Sequence, residues 1–125
     1  MGKVIWKNAK CPCCGQDKTD PKLKADAEAL AASCSVDLIC ESGYRCKAHN
    51  EALKKRGLPA STTSRHLFGA ALDLHSSNRA KLSPAKLWEL AQELRKRGKF
   101  AFIKGIGRYN WGIHVDDKKR DFDYR

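Results

Sequence analysis

The sequence predicts one domain that combines α-helices with β-strands, and three observations support this fold class. Two segments begin with a helix-capping residue followed by proline, at Asp20-Pro21 and at Ser83-Pro84, as is typical of helix N-termini. Short runs rich in strand-forming residues, such as Val36–Cys40, lie between the helical segments. The length of 125 residues suits a single core, so we expect one domain over the whole chain, residues 1–125.

Three helices are expected from the spacing of the apolar residues. The first starts at Pro21 and keeps its apolar residues on one face. A second, shorter helix runs over Ala48–Arg56 and ends at Gly57, a residue that favours helix termination. The third starts at Pro84 and has the clearest apolar stripe. We expect these apolar faces to pack in the core.

Four strands are expected, and their period-two alternation assigns side chains to faces. Asp73 lies on one face of its strand, whereas Leu72 and Leu74 lie on the other. By the same rule, His114 and Asp116 share one face of the last strand. The expected strands are Val36–Cys40 with an extension to Arg45, Ala70–His75, Phe100–Ile103 and Gly112–Asp116, and the turn Gly105–Asn110 joins the last two.

Three side chains from separate parts of the chain form a candidate metal site. His66 follows a polar loop at residues 60–64, whereas Asp73 and His114 lie in predicted strands. Two imidazole nitrogens and one carboxylate oxygen suit Zn²⁺ and leave one coordination position for water. A zinc ion held in this way lowers the pKa of the water towards ~7 and polarises a carbonyl group, and both effects favour amide hydrolysis. The sequence therefore predicts a catalytic zinc ion at these three residues.

Amide hydrolysis also needs a group that accepts the proton of the attacking water. Strand geometry favours Asp116, which lies on the same face as His114, over Asp117, which points to the opposite face. A positioning role, in which Asp116 orients His114 by a hydrogen bond, is the alternative. Arg45 at a strand end can bind a substrate carboxylate or stabilise the tetrahedral oxyanion, because its guanidinium offers a fixed fork of donors.

The chain has six cysteines, and the N-terminal segment, residues 1–19, is rich in them. Cys11 and Cys14 have the C-x-x-C spacing of metal sites and of small redox loops. Cys46 and His49 add a C-x-x-H pair. These four residues can form a second, structural zinc site if the fold brings them together.

No segment of the sequence indicates a signal peptide or a membrane span. No run approaches the ~20 apolar residues of a transmembrane helix, and the N-terminus lacks a long apolar region with a cleavage site. We therefore expect a reducing compartment, which disfavours disulfides such as Cys34 to Cys40. Disulfides and buried free thiols stay open as alternatives to metal binding.

The chain is strongly basic, with 25 Lys and Arg against 14 Asp and Glu and a formal net charge of +11. Such a positive field attracts polyanions, among them nucleic acid, acidic lipid surfaces and an anionic bacterial wall. The basic residues are spread in short groups without one dense run, so the charge alone does not distinguish these partners.

The candidate site residues also belong to a larger ordered pattern. It comprises Ser42-Gly43-Tyr44-Arg45 with Ala48-His49-Asn50, Ser64-x-His66-x-x-Gly69-x-Ala71-x-Asp73, Gly105-Ile106-Gly107-x-Tyr109, and His114-Val115-Asp116. In order and spacing this pattern, over roughly residues 20–116, resembles the zinc D-alanyl-D-alanine peptidase family. That family includes peptidoglycan carboxypeptidases and phage-type endolysins, and it shares its fold with the hedgehog signalling domain.

The resemblance implies a fold and a set of residue roles. The fold is α+β, with a small antiparallel sheet that carries the site and helices that flank it. The implied zinc ligands are His66, Asp73 and His114. Arg45 is implied to bind substrate or stabilise the oxyanion, and Ser64 to contact substrate.

One position departs from the family pattern. Many members have an acidic catalytic residue three positions before the final histidine, where this chain has Trp111. The resemblance therefore does not identify the general base, and the choice of Asp116 rests on strand geometry alone. The cysteine-rich segment also lies outside the shared pattern.

The leading hypothesis is a zinc metallopeptidase that cuts an amide bond in peptidoglycan stem peptides or cross-links, as a carboxypeptidase or an endopeptidase. We expect a monomer whose partner is peptidoglycan, with no membrane insertion and no nucleic-acid binding. It would be made in the cytoplasm and act at the cell wall after release, as a phage or prophage endolysin does. Two alternatives are a non-catalytic zinc module that binds nucleic acid or a protein, and a degenerate peptidase that keeps zinc without a base.

Overall fold

A mixed sheet with three α-helices makes up the part of the chain that the structure describes. The computed structural model describes residues 1–57 and 64–123. A short 3-10 helix, Arg65–Phe68, precedes the third strand. The strands are β1 (Val4–Ile5), β2 (Leu38–Ser42), β3 (Ala71–Ser76), β4 (Gly105–Arg108), β5 (Ile113–Asp116) and β6 (Phe122–Asp123), and the helices are α1 (Pro21–Ala32), α2 (Lys47–Lys55) and α3 (Pro84–Lys96).

The six strands of the described residues form one sheet in the order β1-β2-β3-β5-β4-β6. The central strands pair antiparallel, from β2 through β3 and β5 to β4. Both two-residue edge strands pair in parallel, β1 with β2 and β6 with β4. The expected α+β fold with a small, mainly antiparallel sheet is confirmed, and the two short edge strands extend it.

The helix boundaries follow the capping residues in the sequence. Asp20 caps α1 by accepting the backbone N–H of Lys22, and Ser83 caps α3 by accepting that of Lys86. Proline occupies the first turn in both helices. In α2 the cap is Cys46, whose sulfur accepts the backbone N–H of His49. The three predicted helices are therefore confirmed to within a residue or two.

The core lies on one face of the sheet. Leu72 and Leu74 of β3 and Val115 of β5 are fully buried there, and each such side chain contributes roughly 2 kcal/mol of hydrophobic stabilisation. The helices α1 and α3 contribute further buried leucines to the same cluster, namely Leu23, Leu30, Leu87 and Leu94. Because alternate residues of a strand point to opposite faces, Asp73 and His114 lie on the other face.

The predicted strand at Phe100–Ile103 is wrong. The carboxylate of Asp26 in α1 accepts the backbone N–H groups of Ala101, Phe102 and Ile103, at 2.7 to 3.0 Å. These donors are thereby bound to a side chain instead of a neighbouring strand. The strand that pairs with β5 is β4, which occupies the first half of the predicted turn Gly105–Asn110.

Two glycines let β4 lie against neighbouring groups. A Cβ on Gly105 would lie 2.1 Å from the Lys118 carbonyl oxygen and 2.6 Å from Oδ1 of Asp116. A Cβ on Gly107 would lie 1.8 Å from the ring of Phe122. The glycines therefore make room for the Asp116 carboxylate and for the β6 segment.

Most of the predicted loop at residues 60–64 lies outside the described residues, and only Ser64 falls within them. Within the described ranges, no helix has the length and apolar character needed to cross a bilayer.

Candidate active site

The structure brings the three predicted metal ligands together. One ligand atom from each of His66, Asp73 and His114 lies within 4.8 Å of the other two. Asp73 and His114 are directly opposite each other in the antiparallel register of β3 and β5. Neighbours of this kind on one face of a sheet have adjacent side chains. Two of the three ligands are thus positioned by one strand pair.

His66 reaches the site from the 3-10 helix. Ser64 caps this helix, and its Oγ atom accepts the backbone N–H of His66. The Nδ1 atom of His66 lies 2.7 Å from the carbonyl oxygen of Gly43, and its Nε2 atom lies 3.3 Å from Oδ2 of Asp73. Because a carbonyl oxygen only accepts hydrogen bonds, Nδ1 carries the proton and Nε2 offers its lone pair. This tautomer suits metal binding through Nε2.

His114 lies between two carboxylates. Its Nδ1 atom is 2.9 Å from Oδ1 of Asp73, and its Nε2 atom is 2.8 Å from Oδ2 of Asp116. Burial lowers the pKa of His114, but its hydrogen bonds to Asp116 and Asp73 outweigh this and raise the pKa to about 9. Burial raises the pKa of Asp73, but the two histidines outweigh it and hold the pKa well below its usual range. The site therefore favours a cation between these groups.

Asp116 is completely buried behind His114. Its second oxygen, Oδ1, accepts the backbone N–H of Lys118 at 2.9 Å, so both oxygens have partners. Asp117 lies elsewhere, because it forms a bidentate ion pair with Arg65 at 2.8 Å. Of the two roles considered for Asp116, this geometry favours orientation of His114 over proton acceptance.

Arg45 lies beside the proposed ligands. Its backbone N–H donates to the carbonyl oxygen of His66, and its Nη2 atom lies 3.4 Å from Oγ of Ser64. Burial lowers the pKa of Arg45, whereas the negative charge of Asp73 raises it. The buried Nε–H has no hydrogen-bond acceptor among the described residues. A buried guanidinium donor without an acceptor is a suitable binding group for an anionic substrate.

The sequence analysis gave no separate role to Tyr109. Its hydroxyl lies 3.4 Å from Oδ1 of Asp73, and its ring stacks on Trp111 with centroids 4.8 Å apart. Trp111 also meets the ring of His75 edge-on. The signal for Tyr109 was the Gly107-x-Tyr109 alternation, which the prediction of a turn at Gly105–Asn110 concealed. Trp111 therefore forms an aromatic wall at the position where the family pattern has an acidic residue.

Three of the four residues of the predicted structural metal site also converge. The sulfur atoms of Cys11, Cys14 and Cys46 lie within 4.8 Å of one another. The imidazole of His49 is not in this group, although its backbone N–H donates to the sulfur of Cys46. All six cysteines are free thiols, so no disulfide joins Cys34 to Cys40.

Comparisons with known proteins identify the family and a solved structure of similar fold. The family model described as Peptidase M15 matches residues 5–116. A search of curated proteins finds no match. Among solved structures, the L-Ala D-Glu endopeptidase ChiX of Serratia marcescens has a similar fold, with a TM-score of 0.61 and 19% sequence identity over 81% of each chain. The family match spans all the proposed catalytic residues, and the chain belongs to the peptidase M15 family.

Proposed function

We propose that this chain is a zinc-dependent peptidase that hydrolyses an amide bond in the stem peptides or cross-links of bacterial peptidoglycan. The observation that carries the proposal is the convergence of His66, Asp73 and His114 beside Arg45, whose Nε–H has no acceptor among the described residues. Two imidazoles and a carboxylate are a donor set that fits Zn²⁺ and leaves a position for water.

Each residue of the site has its own proposed role. The metal would be held by three side chains, His66, Asp73 and His114. A zinc ion bound there would activate water and polarise the scissile carbonyl. Asp116 orients His114, and the Gly43 carbonyl orients His66. Arg45, steadied by Ser64, binds a substrate carboxylate or the developing oxyanion. The stacked rings of Tyr109 and Trp111 exclude water from one side.

The peptidoglycan substrate is supported by charge and by fold. A protein of net charge +11 is attracted to cell walls, which carry teichoic acids and stem-peptide carboxylates. The structural relative is named as an L-Ala D-Glu endopeptidase, and this favours cleavage within a stem peptide over removal of a terminal residue. We further propose action at the bacterial wall, as an endolysin-type enzyme.

The test is digestion of purified peptidoglycan by the wild type, His66→Ala and His49→Ala. His49 is a matched control because it is a histidine of α2 outside the His66, Asp73 and His114 group. We expect the wild type and His49→Ala to release new amino groups, and His66→Ala to be slower by at least about a hundredfold. Mass spectrometry of the muropeptides then identifies the bond that is cut. Equal release by the wild type and His66→Ala would overturn the proposal.

A further inference from the structure

We propose that Cys11, Cys13, Cys14 and Cys46 bind a second, structural Zn²⁺ that fastens the N-terminal segment to the wall of the active site. The peptidase proposal does not use this cluster. Whether the cysteine cluster binds zinc does not depend on the peptidase proposal. The expected effect of that zinc on activity does rest on the peptidase proposal.

The sulfur geometry is the first observation. Cys11, Cys14 and Cys46 already place their sulfurs within 4.8 Å of one another. Cys13 lies outside that group, but its thiol interacts with the Cys46 sulfur, so we assign Cys13 as the fourth ligand. Cys13 and Cys14 are exposed, so their side chains are free to adjust without disturbing the core. Four thiolates are a closed tetrahedral set that suits structural zinc.

The second observation is the set of backbone donors that face the sulfurs. The sulfur of Cys11 is surrounded by the backbone N–H groups of Cys46, Cys14 and Cys13, the first at 3.3 Å. The sulfur of Cys46 accepts from His49 at the start of α2. Donors and a helix N-terminus directed at sulfur stabilise the thiolate, which is the metal-binding form.

The local backbone forms a tight loop around Cys11. The Cys11 carbonyl oxygen accepts the N–H of Gly15, and the Cys11 N–H donates to the carbonyl oxygen of Gln16, both at 2.8 Å. Gly15 has a φ of +72°, a conformation that side chains rarely adopt. The loop therefore turns the segment that carries Cys11, Cys13 and Cys14 toward Cys46.

The cysteine cluster adjoins the residues that position His66 and Arg45. Cys46 directly follows Arg45, and the preceding residues Gly43 and Tyr44 donate their N–H groups to the carbonyl oxygens of Asn8 and Ala9, both at 3.0 Å. The Gly43 carbonyl in turn accepts the Nδ1–H of His66. A metal at the cluster would hold the N-terminal segment against the same residues that position His66 and Arg45.

The experiment counts zinc in purified full-length chains and uses cobalt substitution to detect sulfur ligands. We expect two zinc ions in the wild type, one in His66→Ala and one in Cys14→Ser. The cobalt form of His66→Ala should show the thiolate-to-cobalt charge-transfer band in the near ultraviolet. Cys34→Ala is the matched control, because it removes a buried thiol outside the cluster, and it should keep both ions.

A pair of substitutions tests the fourth ligand. Cys13→Ser should weaken zinc retention in competition with a chelator, whereas His49→Ala should not. Cys14→Ser should also lower the melting temperature and the peptidase activity, since it frees the segment that supports Gly43.

The outcomes separate this proposal from the peptidase proposal. Wild-type zinc content in Cys14→Ser, or absence of the sulfur band, would overturn the cysteine site. A wild type that holds one zinc ion, lost in Cys14→Ser and kept in His66→Ala, would support the cysteine site and overturn the peptidase proposal.

Discussion

The Nε2 atom of His114 lies 2.8 Å from Oδ2 of Asp116, whose carboxylate is completely buried. This contact leaves Nδ1 of His114 facing Asp73. A carboxylate in this position fixes the ring orientation and raises the basicity of a ligating imidazole. We therefore propose that Asp116 acts on the reaction through His114, and two substitutions distinguish this role from that of a general base.

We expect Asp116→Asn to keep substantial activity when zinc is saturating. The amide oxygen can still accept the Nε2–H of His114, so the ring stays oriented while the charge is lost. Zinc affinity should fall by about 10- to 100-fold, and Asp116→Ala should lose more because it leaves that N–H unpaired in a buried site. Zinc titration and kcat at saturating zinc measure the two effects.

The alternative role predicts a different result for the same variant. A general base contributes about 10²- to 10⁴-fold, and its removal abolishes the acidic limb of the pH profile of kcat/KM. Such a loss in zinc-saturated Asp116→Asn would contradict the positioning role.

Arg45 should act mainly on substrates with a free carboxylate. Its buried Nε–H has no acceptor among the described residues, and Ser64 steadies Nη2. We expect Arg45→Ala to raise KM by about 10- to 100-fold, since a hydrogen bond to a charged group contributes about 1.5 to 3 kcal/mol. Arg45→Lys should recover part of this, because lysine keeps the charge but lacks the planar fork.

The measurement compares stem peptides that carry a free carboxylate with matched peptides in which that carboxylate is amidated. The effect of Arg45→Ala on KM should disappear with the amidated peptides. An equal loss of kcat for both kinds of peptide would assign Arg45 to the oxyanion instead.

Gly69 supports the site by ending the 3-10 helix that carries His66. It has a φ of +66°, and a Cβ there would lie 1.9 Å from the carbonyl oxygen of Lys18. Gly98 has a similar φ of +72°, and a Cβ there would meet no described atom within 4 Å. Gly98→Ala therefore measures the cost of the backbone conformation alone. We expect Gly98→Ala to cost about 1 kcal/mol and Gly69→Ala about 2 to 4 kcal/mol of unfolding free energy.

Urea unfolding of the two variants provides the comparison, and zinc affinity should fall only in Gly69→Ala. Equal destabilisation by both substitutions would mean that the segment at Lys18 moves away without cost. Gly69 would then matter for its backbone conformation alone.

The sequence alone was sufficient to predict which strand residues share the face that carries the site. Period-two alternation placed His114 and Asp116 on one face, and their side-chain contact confirms this. The capping pairs located α1 and α3 because those signals are local. What brings Asp73 opposite His114 is the register of two strands forty residues apart, and no local signal encodes that register.

The predicted strand at Phe100–Ile103 and the predicted turn at Gly105–Asn110 were wrong for a physical reason that no local signal reveals. Phe100–Ile103 has the composition of a strand, but the Asp26 carboxylate from α1 binds its N–H groups. The glycines of β4 resemble a turn, and the close approach of Lys118 and Asp116 to Gly105 and of Phe122 to Gly107 explains them. Partners distant in sequence decided both segments, and they also leave the His49 ring outside the group of Cys11, Cys14 and Cys46.

The last prediction concerns Asp121, which joins α3 to β4. Its carboxylate binds Arg95 through two hydrogen bonds, at 2.6 and 2.8 Å, and accepts the N–H of Ile106 at 3.1 Å. The hydrogen bonding from Arg95 is the main cause that lowers the pKa of Asp121, and the hydrogen bond from the Ile106 N–H lowers this pKa further. A carboxylate whose pKa is lowered by folding stabilises the protein above its unfolded pKa, and this contribution is lost as the pH falls through the folded pKa.

Asp121→Asn keeps the oxygen that accepts the N–H of Ile106, but it removes the charge and the second acceptor of Arg95. Because the Asp121 side chain is 39% exposed, solvent screening limits the expected loss at pH 7 to about 0.5 to 1 kcal/mol. The difference between variant and wild type should persist above about pH 5 and shrink toward zero as the pH falls below about 4, where the wild-type carboxyl becomes protonated. Urea unfolding across this range measures it. A difference that stays constant down to pH 3 would show that the ion pair with Arg95 is not its source.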